Sequence, residues 1–142
     1  MNDALAAGVV AAAVSGAPST LWALATGGDP AEATLAAGTV LLPDETRRAP
    51  LLAAAVPLHL SLSLGWAVVL ERVLPRGREV SAGAVAGLGV GILDLGVAAR
   101  LFPRLRALPL LPQLADHLAY GATVGLVLAR RRARSPGEHR PE

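Results

Sequence analysis

Residues 80 to 99 read VSAGAVAGLGVGILDLGVAA. Twenty residues interrupted by one charge, Asp94, match the length of helix that crosses the apolar part of a bilayer, about 20 residues. A soluble domain would have to bury such a stretch on every side, and this chain lacks the bulky side chains for it. It is 53% hydrophobic but only 3% aromatic, so its apolar mass is Ala, Leu, Val and Gly. Small side chains suit helices that pack closely in lipid. The mean hydropathy of +0.49 and the charged fraction of 17% point the same way, since soluble domains carry about a quarter charged residues. The stretch reads as a membrane span.

Three further runs share the pattern: residues 4–26, 51–70 and 112–129. The expected fold is all-α, an integral membrane four-helix bundle over residues 1–132 with spans at 4–26, 51–70, 80–99 and 112–129. A polar tail, residues 133–142, is expected to be disordered. Between the first two spans lies DPAEATLAAGTVLLP, residues 29–43. Asp29 as cap, Pro30 at the first helical position and Glu32 three residues past the cap predict a short helix over 30–42. That is too short to span, which leaves an interfacial or re-entrant helix, or an ordinary extramembrane one.

All 13 basic residues are Arg, and the sequence pI is about 10.4. The arginines cluster between and after the apolar runs, as in membrane loops, so nucleic acid is not an expected partner. Arg72, Arg76, Arg78, Arg130, Arg131, Arg132 and Arg134 fall on one side and Arg47, Arg48, Arg100, Arg104 and Arg106 on the other. Seven against five favours both termini in the cytoplasm. The Ala-, Gly- and Arg-rich composition fits a GC-rich bacterial genome, and hence the bacterial cytoplasmic membrane. The opening MNDALAAG has no basic residue ahead of the first apolar run, unlike a signal peptide. There is no Cys, so thiolate chemistry is excluded.

Position along each span converts to depth at about 1.5 Å per residue. His59 lies about 12 Å from the start of its span, Asp94 about 9 Å from the end of its own, and His117 about 8 Å from the start of the last, with Asp116 beside it. Ser19 and Thr20 sit about 9–10 Å before the end of the first span. Antiparallel neighbours therefore bring His59, Asp94, Asp116, His117, Ser19 and Thr20 into the same half of the bilayer. A carboxylate at mid-membrane costs about 2.5–3.5 kcal/mol on insertion scales, so Asp94 needs a partner or a proton. Gly83, Gly87 and Gly91 share a stripe with Asp94, and Gly121 and Gly125 share one with His117. Such stripes let helices approach closely. GAPST, residues 16–20, reads either as a proline kink or as a broken helix lining a site.

The Gly/Ala-rich first span with GAPST, the second-span PLHLSLSLGW and the closing DHLAYGATVGLVLARR together resemble the small four-span membrane proteins of GC-rich bacteria, especially actinobacteria. The resemblance covers most of residues 4–132. That group has no assigned activity, so the resemblance implies an architecture and no mechanism.

Two function classes follow from the residues. One is a structural, interaction or accessory membrane protein whose polar cluster organises packing or contact with a partner, itself a membrane protein or a second copy. The other is a transporter or proton- or ion-conducting unit, acting as a homo-oligomer, with Asp94 titrating and His59 and His117 relaying. The same three residues form a possible metal set, two imidazoles and a carboxylate, or two haem ligands, although no cofactor is expected. No Ser-His-Asp spacing and no phosphate loop argue for an enzyme.

Overall fold

The computed structural model describes residues 2–134, and among these every regular element is a helix. Asn2 opens α1, Asp3–Val14, by accepting the Ala4 N–H (2.9 Å). The helix stops at Ser15, and Gly16 breaks it from α2, Ala17–Thr26. Pro18 stands in the first turn of α2, where its missing N–H costs nothing. The first apolar run is thus two short helices end to end. α2 closes at Gly27, φ 71°, from which the Gly28 N–H returns to Ala23 O (2.7 Å).

α3, Glu32–Gly38, is shorter than the helix expected over 30–42. Asp29 accepts the Ala31 N–H (2.9 Å) in the turn ahead of it, but the cap position is Ala31, without a side-chain cap bond, so Asp29 is not the cap and Pro30 is not the first helical residue. The last residue of α3, Gly38, lies against the backbone of Leu51, leaving no room for a Cβ. Three longer helices complete the chain: α4, Arg48–Val73, α5, Glu79–Leu101, and, after a four-residue α6, Pro103–Arg106, α7, Leu110–Arg134. α6 has no counterpart in the sequence reading. Ala133 and Arg134 continue α7, contrary to the tail expected from residue 133; residues 135–142 of that tail lie outside the described residues.

Three segments are long and apolar enough to cross a membrane: Asp3–Thr26, Arg48–Val73 and Glu79–Leu101. The sequence reading expected a fourth. α7 has the length, 25 residues, but Gln113, Asp116, His117 and Tyr120 dilute its first half. Large side chains such as Val85 (71% exposed) and Ile92 (66%) face outwards. That surface would be a liability in water and is at home in lipid.

α7 is the centre of the packing. It touches α1, α2, α4 and α5, α1 also lies on α4, and α5 rests on α7 and α6. The core is correspondingly lean: Ala7, Ala11, Ala67, Leu70, Leu74, Tyr120, Val124 and Leu128. Ion pairs fasten both ends. At one, Arg131 reaches Asp3 (3.0 Å) and Arg132 reaches Glu79 (3.1 Å). At the other, Arg104 holds Glu32 (2.7 Å) and Arg48 pairs with Asp29.

A candidate site on the central helix

The site begins with the shape of the α5–α7 seam. A Cβ on Gly83 would strike the Gly121 carbonyl, one on Gly87 the His117 carbonyl, and one on Gly125 the Glu79 carbonyl. Gly121 in turn lies against Gly83 and Gly87. The two backbones touch, which draws the side chains at the edge of the seam together. Gly91 leaves room for the His117 ring, whose Cγ would lie 2.8 Å from an added Cβ.

His117 Nε2 stands 3.4 Å from Asp94 Oδ2. Its other nitrogen, Nδ1, is 2.8 Å from the Gln113 carbonyl. A carbonyl only accepts, so Nδ1 carries a proton. Nε2 then either donates to an ionised Asp94 or accepts from a protonated one, and the pair is neutral in both cases. The third arrangement, a lone pair facing an ionised carboxylate, is repulsive and leaves a net charge among apolar helices.

Asp116, one residue earlier, points to another helix. Its Oδ1 accepts the Ser19 N–H (2.9 Å). Ser19 is in the first turn of α2, which has no side-chain cap of its own. Helix starts leave N–H groups without partners, and they favour negative charge. Asp116 therefore caps α2 from across the interface. The break at Gly16 creates the site that Asp116 fills.

Tyr120 completes the set. Its hydroxyl donates to the Ser63 carbonyl of α4 (2.5 Å). Within residues 116–120, α7 thus sends one polar group to α2, one to α5 and one to α4. Sequence reasoning did not single out Tyr120. The available signal was that it is the chain's one tyrosine, set in an apolar run where its hydroxyl needs an acceptor.

The remaining predicted residues lie apart. His59 is on the exposed side of α4 and its Nε2 donates to the Ala12 carbonyl (3.0 Å). That carbonyl belongs to the last turn of α1, where acceptors lack helical partners. Thr20 Oγ1 and Ser19 Oγ both turn back to Gly16 O, at 2.8 and 3.2 Å. Ser19 joins the cluster through its backbone alone. Among the described residues, no three His, Asp or Glu side chains gather so as to hold a metal ion, so His59, Asp94 and His117 do not form the ligand set considered above. No buried side-chain nitrogen or oxygen among the described residues lacks a hydrogen bond.

No family model, no curated protein and no solved structure matches this chain.

Proposed function

We propose that the chain is a four-span protein of the bacterial cytoplasmic membrane, both termini cytoplasmic, with a structural or interaction role and no catalytic one. In this reading the Asp-His-Tyr segment of α7 is the fastening that holds the bundle, and the outer helix faces are free to meet lipid, a second copy or another membrane protein. The observation that carries it is the threefold attachment just described. Asp116, His117 and Tyr120 each bind a different helix. A polar residue in a span is expensive, and here each is spent on a neighbour within the chain.

Thermal unfolding in mild detergent tests the role. Asp116→Ala, His117→Ala and Tyr120→Phe should each melt several degrees below the parent, as lost interhelical polar contacts do. A neutral or stabilised set of variants would overturn a fastening role. Topology is tested separately. The chain has no Cys, so single cysteines at Arg47 and Arg130 can be labelled from either side of the membrane. Labelling of both from the same side sinks the four-span reading.

A second reading draws on Asp94, whose side chain is 38% exposed. A carboxylate open on the outside of a seam, sharing one proton with His117, suits a proton- or ion-conducting homo-oligomer. A monomer in mild detergent, with no proton leak in vesicles, removes it.

A further inference from the structure

At the end of the bundle away from the polar cluster, a groove of about 760 Å³ opens between the start of α5 and the end of α7. Its rim is cationic: Arg76, Arg78 and Arg132. Arg132 is already held by Glu79 (3.1 Å) and by the Glu71 carbonyl (2.8 Å), so it shapes the rim. Arg76 and Arg78 are exposed, flanking Gly77. Gly77 has φ 82°, a conformation other residues rarely adopt, and the Arg78 N–H closes the turn on Pro75 O (3.4 Å). The turn sets both guanidinium groups at the mouth of one groove. Among the described residues Glu79 is the only carboxylate on its wall, and their charges give the lining an excess of positive charge.

Below the rim the wall is apolar, formed by Val80, Ala84 and Ala129. Ala84 lies about 9 Å deeper along α5 than Arg78, at 1.5 Å per residue. Charge above and hydrocarbon below is the order of a phospholipid, phosphate first and acyl chain next. We infer that this groove binds an anionic phospholipid, its phosphate between Arg76 and Arg78 and an acyl chain along Val80 and Ala84. Basic pockets between helices at the membrane edge take such headgroups by the same complementarity, and arginine suits phosphate because its planar fork donates two hydrogen bonds at once. The inference rests on the four-span reading above, which puts this end of α5 and α7 at a membrane surface.

The test is lipid binding by the full chain in nanodiscs and by native mass spectrometry, with phosphatidylglycerol against phosphatidylcholine. The parent should retain phosphatidylglycerol preferentially. Arg76→Ala/Arg78→Ala should lose at least about tenfold more of that binding than Arg130→Ala/Arg134→Ala, which removes equal charge from the same membrane level outside the groove. Arg76→Lys/Arg78→Lys, keeping the charge, guards against misfolding and should retain part of the binding. Equal losses in the two alanine pairs would reduce the effect to diffuse attraction and overturn the site. So would equal retention of the two lipids. Displacement by millimolar inorganic phosphate would assign the groove to a soluble anion and overturn the lipid. Cysteine labelling that puts residues 78 and 130 on opposite sides defeats the four-span reading instead, whatever the lipids do.

Discussion

Where α5 meets α7, backbone lies on backbone; where α1 meets α4, side chains fill the gap. In the first seam Gly83, Gly87, Gly121 and Gly125 each face a main-chain atom of the other helix. In the second, Gly8 faces the Leu64 side chain, the Ala67 Cβ and the Leu64 Cα, and a Cβ there would sit 3.0, 3.1 and 3.2 Å from them. A leucine end can move, a carbonyl in a helix cannot. The first seam, where an added Cβ would lie 2.0–2.3 Å from a carbonyl oxygen, is therefore closer than the second, where the nearest atoms are 3.0–3.2 Å away. Only the closer seam carries an Asp-His pair, whose distance depends on the two backbones staying in contact.

Five measurements would break or sharpen that contrast. The largest effect should come from Gly121→Ala, whose added methyl meets the Gly83 carbonyl; a loss of about 3 kcal/mol is expected in detergent unfolding, at the upper end for overpacking. A parent-like Gly121→Ala would mean that the seam is not rigid. Tyr120→Phe should follow at about 1 kcal/mol, the usual worth of one such bond, with the fold unchanged by circular dichroism. Gly8→Ala should cost about 1 kcal/mol, less than Gly121→Ala, because Leu64 Cδ2 can turn away and the Ala67 Cβ and Leu64 Cα need shift only by a few tenths of an ångström. A cost equal to that of Gly121→Ala would erase the distinction between the seams.

Acid titration probes the end of the molecule remote from both seams. The Arg48 side chain, hydrogen-bonded to Asp29, holds that carboxyl below its ordinary pKa. A depressed carboxyl stabilises above its unfolded pKa, and the benefit fades as pH falls through the lowered folded one. Arg48→Ala should therefore raise the Asp29 titration, followed by NMR, towards the ordinary carboxylate range, the Ala31 N–H bond remaining, while leaving melting at neutral pH nearly unchanged. The smallest effect is expected for Gly89→Ala. An added methyl there meets nothing within 4 Å, so the variant should be neutral or gain up to about 1 kcal/mol from helix propensity. A clear loss would reveal an occupant on the outer face of α5.

Depth was legible in the sequence because rise per residue is constant. Asp94 and His117 fall at the same level by counting, and they meet. Rotation was legible only where small residues recur every fourth position, as at Gly83, Gly87 and Gly91. His59 has the matching depth, yet its ring is claimed by the Ala12 carbonyl, a partner that exists only because α1 ends early. Pro18 signalled a disturbance, but not that Asp116 would cap the resulting helix start. Gly38 of α3 lies against the Leu51 backbone, a tertiary contact that local capping rules cannot contain. Tyr120 was in plain view, and its partner, a main-chain carbonyl, leaves no mark on side-chain patterns.

The central place of α7 has a consequence in time. It leaves the ribosome after the other described long helices, and α1, α2, α4 and α5 all meet it. Until Asp116 arrives, the start of α2 is uncapped; until His117 arrives, Asp94 is a lone carboxyl beside an open glycine groove. A chain cut before residue 110 would keep its three apolar segments and the α1–α4 seam, and lose the helix against which α2 and α5 rest.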